Sequence, residues 1–306
     1  MFKASPAEIK DLMKSTGVGM MECKKALEEA EGDREQAVTI LRERGLATQA
    51  KKAGRTAAEG IATAVVEGNV GAVLEVNIET DFAANNDEFK AFVANVAKTI
   101  IEQNPADLDA LKAAKISGGD KSVEETLQDL FIKIRENMVI RRFQRLEGTL
   151  IPYVHDGGRI AVIVKVESDV DADTTFTVGK DVALQVTSMN PRFLDKASVS
   201  AEVIENEKNI VIAQMNEDPK MASKPDQVKA KIAEGKLGKF YTENCLLEQE
   251  FVKDGDFTVG KYVEKAAKDK GGKIKVVDFV RFERGEGVEK KADDFAAEVA
   301  AMAGLK

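Results

Sequence analysis

Tryptophan is absent from this 306-residue sequence, histidine occurs once and cysteine twice. Cys23 and Cys245 lie far apart, so neither a disulfide framework nor a metal knuckle is expected, and a reducing compartment fits. The lone histidine, His155, leaves no His/Cys/carboxylate spacing for a metal site. Phosphate loops are equally scarce. Gly118-Gly119-Asp120-Lys121-Ser122 lacks the GxxxxGK[ST] spacing, and Gly271-Gly272-Lys273 is followed by Ile274. No nucleophile elbow is visible. These gaps argue against an enzyme that makes or breaks covalent bonds, and no metal or cofactor is expected. No apolar run approaches the roughly 20 residues of a membrane span, and the opening Met-Phe-Lys-Ala-Ser-Pro has no signal-peptide core. A cytoplasmic location is therefore expected. A net charge of −8 argues against broad nucleic-acid or anionic-membrane binding.

What is present is ordered by helix and strand signals. In residues 1–45, Ser5-Pro6-Ala7-Glu8 is a capping box with proline in the first turn. Ile9, Leu12 and Met13 follow at helical spacing, and Thr16-Gly17-Val18-Gly19 breaks that helix. Met20, Cys23, Ala26 and Leu27 mark a second helix, ended by Gly32. Asp33 with Gln36 opens a third, which Gly45 is expected to stop. Residues 46–58 carry Lys51, Lys52 and Arg55 among small residues and read as a linker. Apolar strands at 61–66 and 72–78 flank Gly68-Asn69, a hairpin signal. Phe89, Phe92, Val93, Val96 and Ile100 then form one buried helical face, closed by Asn104-Pro105.

Three segments recur in the same order. Ile78-Glu79-Thr80-Asp81 matches Val166-Glu167-Ser168-Asp169 at an offset of 88. Asn104-Pro105 and the four residues after it match Asn190-Pro191 and theirs at 86, and Arg142-Phe143-Gln144-Arg145 matches Arg281-Phe282-Glu283-Arg284 at 139. The pattern predicts an α+β fold with a duplicated core, one subdomain at 59–149 and the other at 150–291, the second interrupted by an insertion of roughly 50 residues. The insertion, about 198–252, reads as an antiparallel helical hairpin. Val203, Ile204, Ile210 and Val211 form one stripe, Asp218-Pro219 breaks it, and Val228 and Ile232 belong to the returning helix. It serves either as a second contact arm or as a dimerisation element. A C-terminal helix at 292–306, with Phe295, Val299 and Met302 on one face, needs something to dock against.

One loop stands out, Thr80-Asp81-Phe82-Ala83 followed by Ala84-Asn85-Asn86-Asp87, between a strand and a helix. On residues alone it reads first as a helix cap, with Phe82 as core. Met20 and Met21 are either bundle core or adaptable contacts. His155 is either a contact or a plain turn residue.

The run Thr16-Gly17-Val18-Gly19-Met20-Met21-Glu22-Cys23-Lys24-Lys25-Ala26-Leu27 resembles the opening signature of the elongation factor Ts family. The resemblance continues in order through Thr80-Asp81-Phe82, Ile140-Arg141-Arg142, Tyr153-Val154-His155 and Asp294-Phe295-Ala296-Ala297-Glu298. It implies a ubiquitin-associated-like three-helix N-terminal domain, a duplicated core, a helical-hairpin insertion and a C-terminal module. It also implies a guanine-nucleotide exchange factor in protein biosynthesis, whose GTPase partner is elongation factor Tu. In that family the loop matching Thr80, Asp81, Phe82 and Ala83 reaches the nucleotide side of the GTPase and is tied to loss of its magnesium ion. Ala83 stands where valine is usual, and Arg135, beside the candidate contact Ile134, stands where glycine is common. A binding adaptor for ubiquitin-like folds and an enzyme working in a cleft between the repeats are the competing expectations.

Overall fold

The computed structural model describes residues 2–289; the C-terminal helix expected at 292–306 lies outside them. The N-terminal bundle comprises α1 (Pro6–Thr16), α2 (Met20–Glu29) and α3 (Arg34–Lys52). Ser5 and Glu8 cap α1 reciprocally, and Gly17 closes it in the left-handed conformation. Leu12, Cys23, Ala26, Leu27, Ala37 and Leu41 form its small core. Gly45 does not stop α3, which runs on to Lys52 through much of the expected linker. The physical reason is tertiary. A Cβ on Gly45 would lie 2.5 Å from Ile132 Cγ1, so the glycine is spacing for a neighbour and not a terminator.

The next stretch pairs β1 (Glu59–Glu67) with β2 (Val70–Ile78) across Gly68-Asn69, as the hairpin signal required. α4 (Asp81–Ala84), α5 (Asp87–Gln103), α6 (Leu108–Ala113) and α7 (Val123–Ile134) follow. β3 (Met138–Glu147) then pairs with β2, giving the order β1-β2-β3. The five expected residues of α5 are buried against β2.

The second stretch has β4 (Thr149–His155), β5 (Ile160–Ser168) and α8 (Ala172–Met189). A helical arm follows, formed by α9 (Ala201–Glu217), α10 (Pro219–Ala222) and α11 (Asp226–Asn244). The ribbon of β6 (Glu250–Phe251) and β7 (Asp254–Thr258), then α12 (Val259–Lys268) and β8 (Ile274–Glu283), complete it in the order β4-β5-β8. At the base of the arm Leu246 N donates to Phe193 O at 2.9 Å and Leu247 N to Leu194 O at 3.0 Å, so the chain leaves and returns at one place. Leu246 and Phe251 belong to the core under β5. The seam of the arm is Val211, Met215 and Ala233, with Ile210 and Val228 exposed. Of the expected stripe, Val211 lies in the seam, Ile232 packs on it, and Val203 and Ile204 pack on the cluster with Val199 and Phe240; Ile210 and Val228 fall outside, because an apolar residue beside the true seam cannot be told from one in it by spacing alone.

Backbone register gives a cleaner correspondence than the sequence matches. β2 pairs with β3 from Val70↔Glu147 to Ile78↔Met138, with a bulge after Glu75. β5 pairs with β8 from Ile160↔Glu283 to Ser168↔Ile274, with a bulge after Lys165. Corresponding residues differ by 90 on the central strands and by 136 on the outer strands. The offsets of 88 and 139 are therefore two and three residues out of register. The offset of 86 coincides with Asn104 and Asn190, which close α5 and α8 in the same left-handed conformation.

The two sheets share an apolar layer that includes Val73, Leu146, Leu150, Ile163 and Phe282. At its edge the fully buried Glu75 carboxylate accepts from Arg141 at 2.9 Å, from Arg142 at 2.6 Å and from the Gly285 amide at 2.8 Å. Among the described residues no helix is long and apolar enough to cross a membrane.

Candidate functional site

The chain leaves the buried β2 at Glu79 and Thr80, where it must turn back toward α5. Thr80 Oγ1 accepts from the Ala83 amide at 3.1 Å and so caps the single turn of α4. In one turn of helix, two successive residues face inward and the other two outward. Ala83 and Ala84 are the inward pair and pack on the core under β2. Asp81 and Phe82 are the outward pair, and Phe82 is 88% exposed. The expectation that Phe82 is core is thereby overturned: the core side of this turn is already filled by two alanines.

Both ends of the turn are fastened. Asn86 Oδ1 accepts from the Glu88 and Phe89 amides at 2.8 and 3.3 Å, starting α5, and the Phe89 ring is fully buried beneath. Asn85 Nδ2 donates to Asp81 O at 3.1 Å. From across the sheet, Glu136 accepts from the Thr80 amide at 3.0 Å and from its hydroxyl at 2.8 Å. Glu79 accepts from the Asn137 amide at 2.6 Å. An exposed aromatic ring on a turn this well tied is pre-organised for contact; it loses little freedom when something covers it.

Phe82 and Asp81 border an open groove of about 680 Å³ whose other wall is Lys133, Ile134 and Glu136, with Gly17 at its rim. Lys133 is paired with Glu88 at 2.9 Å. Among the described residues the Asp81 carboxylate has no ion-pair partner. The groove therefore offers an apolar wedge beside a free carboxylate, a combination suited to displacing a packed side chain and competing for hydrogen bonds. Among the described residues no group of His, Cys, Asp and Glu is placed to hold a metal ion.

The fold brings Thr80, Asp81, Phe82, Ala83 and Ile134 to this one place. Met20 and Met21 do not line the groove, but they are exposed at 60% and 61% at the start of α2. Their outward placement excludes the bundle-core reading. Met20 follows the rim residue Gly17 by three positions, which keeps their Cα atoms within about 11 Å. His155 lies elsewhere, exposed at the end of β4, with Nδ1 3.0 Å from the Tyr153 hydroxyl. Sequence reasoning missed Glu136, Lys133 and Gly17. Glu136 is 56 positions from the threonine it holds, so no local signal announced it.

Comparison with known proteins agrees with the motifs. The family model described as elongation factor TS matches residues 79–286. An elongation factor Ts of Clostridium kluyveri is 47% identical over 95% of this chain and 96% of its own length. That of Trichlorobacter lovleyi is 47% identical over 98% of each, and that of Clostridium perfringens 45% over 97% and 98%. The chain belongs to the elongation factor Ts family of translation elongation factors.

Proposed function

We propose that the chain is a guanine-nucleotide exchange factor acting in the cytoplasm, which binds elongation factor Tu and promotes GDP release by disturbing its magnesium and phosphate site. The observation that carries this reading is the 88% exposure of Phe82 on a turn capped at both ends. A GTPase holds its nucleotide through backbone amides, a lysine and Mg²⁺ bridging the phosphates. An exchange factor need only bind the form in which those contacts are broken. Phe82 is the wedge that displaces a packed element of the partner. Asp81 competes for hydrogen bonds near the metal, and Thr80 with Ala83 sets the turn that presents them. Ala83 in place of valine leaves this presentation intact, because its small side chain faces the core. Met20, Met21, Ile134 and His155 are further contacts. Linkage is reciprocal: a factor that weakens nucleotide binding is itself weakened by the nucleotide, which lets one copy act repeatedly.

The architecture supports the same reading. We take the bundle at 1–45 as ubiquitin-associated-like and the core as duplicated. Matched strand order and register of β1-β2-β3 and β4-β5-β8 support the duplication. The arm is an insertion pinned at its base, serving as a second contact.

Phe82→Ala tests the assignment. An ordinary core phenylalanine would lose about 3–5 kcal/mol on truncation, whereas an exposed one should change stability by no more than about 0.5 kcal/mol. Release of fluorescent GDP from elongation factor Tu, stimulated by the variant, should slow sharply while its melting temperature holds. Near-normal exchange by Phe82→Ala, or a preformed complex indifferent to millimolar GDP and Mg²⁺, sinks the proposal.

A further inference from the structure

Glycine is a poor residue for the interior of a helix, so Gly45 in the middle of α3 needs a reason. The reason sits on α7. Phe131 of that helix is buried in its own core, but the next residue, Ile132, turns away and packs on the N-terminal bundle. A Cβ at position 45 would meet Ile132 Cγ1 at 2.5 Å and Cδ1 at 2.9 Å. The helix of the bundle and the helix of the core therefore touch through a knob and a hole of matched size.

The three residues after Ile132 carry the contact to the groove. The aliphatic stem of Lys133 lies over Gly17, where a Cβ would be 2.9 Å from its Cγ, and its ammonium reaches Glu88. Ile134 is groove wall. The Arg135 carbonyl accepts from Lys52 Nζ at 2.5 Å, at the far end of α3. On the other side Arg42 of α3 pairs with Glu125 of α7 at 3.1 Å. The Glu125 carboxyl is held below its ordinary range by the Ser122 amide and by Arg42. Residues 132–135 thus belong to two structures at once, the seat of the bundle and the wall opposite Phe82.

We propose that Gly45 and Ile132 form a size-matched joint that fixes the separation between the exposed Met20 and Met21 and the Phe82 turn, so that the two act as one bivalent surface. Both are positioning residues, and their effect on GDP release rests on the exchange reading above. Two contacts held at a fixed spacing strengthen each other through effective concentration, and that gain is lost when the spacing becomes variable.

Size exchange tests the joint. Gly45→Ala alone overfills the contact and Ile132→Ala alone empties it. Combined, they place two methyl carbons 3.8 Å apart, an ordinary van der Waals separation. Spin labels at Lys25→Cys and Lys90→Cys report the bundle-to-core distance without any partner, the two native thiols being buried. The parent should give one narrow distribution, each single variant a broad one, and the double variant a narrow one again. In stimulated GDP release, the factor concentration for half-maximal effect should rise by about tenfold in each single variant and fall back in the double variant. The maximal rate should stay near that of the parent, unlike Phe82→Ala, which lowers it. Narrow distances in both single variants, or a double variant no better than the singles, overturns the joint. Broadened distances with an unchanged half-maximal concentration, in a parent that is active, overturns the bivalent coupling. A parent that leaves GDP release at its spontaneous rate refutes the exchange reading instead, and the distance distributions then decide the joint alone.

Discussion

The first half of the core, β1 to β3, and the second, β4 to β8, share strand order and register but differ between the central strand and the helix that follows it. Ile78 and Ser168 end the central strands 90 positions apart, while Asn104 and Asn190 close the following helices 86 apart. Counted from strand end to helix end, the first half therefore carries four extra residues. That is the length of α4, Asp81–Ala84, the turn that displays Phe82. In the second half the chain passes from Ser168 to α8 with Asp171 as the cap and no intervening helix. What the two halves have in common is what folding needs. The four residues that one half adds are where function is to be sought, because an exposed phenylalanine contributes nothing to the core.

The largest expected effect comes from removing that difference. Deleting residues 81–84 joins Thr80 to Asn85 and gives the first half the same spacing from strand end to helix end as the second. Buried area from Ala83 and Ala84 is lost, so the melting temperature should fall, but unfolding should remain cooperative because Asn86 still caps α5. Stimulated GDP release should drop to the spontaneous rate. A deletion variant that still stimulates release would place the active contact elsewhere, with Met20, Met21 or His155 the first to examine.

The second effect concerns a charge pattern that the halves reverse. Glu75 faces Arg142 across the first sheet, whereas the corresponding Lys165 faces Asp278 across the second. Glu75 is fully buried and ties Arg141, Arg142 and the Gly285 amide of the turn after β8. Removing one partner of a buried pair leaves the other charge uncompensated. Glu75→Ala should therefore cost about 3 kcal/mol, the low end of the usual range, since both arginines keep some contact with water. Lys165→Ala, at the half-buried equivalent, should cost about 0.5 kcal/mol. Equal losses in chemical denaturation would mean that the two halves are tied together in some other way.

The sequence was informative wherever a local rule decides the structure. The Gly68-Asn69 hairpin, the buried stripe of α5, the Ser5–Glu8 capping box and the span of the helical arm all follow from residues within a few positions of one another. It misled where tertiary packing decides, whether the deciding residue is distant or adjacent. Gly45 reads as a stop signal until Ile132 fills the space beside it. Phe82 reads as core until Ala83 and Ala84 are seen to occupy the core side. The matched segments were visible through their identical residues, but identity in Glu-x-Asp and Arg-Phe motifs is not register. Only the ladder, with its bulges after Glu75 and Lys165, shows that those motifs sit two and three residues apart on equivalent strands.

The smallest effect tests the comparison at one residue. On the outer-strand offset of 136, Arg135 corresponds to Gly271, and both lie in the left-handed region, at φ 62 and 75. The second half meets this requirement with the residue that adopts it freely; the first half uses arginine, which is strained there by about 1–2 kcal/mol. Arg135→Gly relieves that strain but raises the entropy of the unfolded chain, an offset of roughly 0.4–1 kcal/mol. The hydrogen bond from Lys52 is kept, because the carbonyl that accepts it is backbone. The net expectation is a gain of about 0.5 kcal/mol, read as a higher denaturant midpoint at unchanged slope. Gly271→Ala should lose about 1 kcal/mol at the matching site, since nothing lies within 4 Å of the added methyl and only the backbone is strained. If Arg135→Gly is destabilising while Gly271→Ala behaves as stated, the two turns are not equivalent. Arg135, which lines the seam beside Gly45 and Thr48, would then be a working part of the joint between bundle and core.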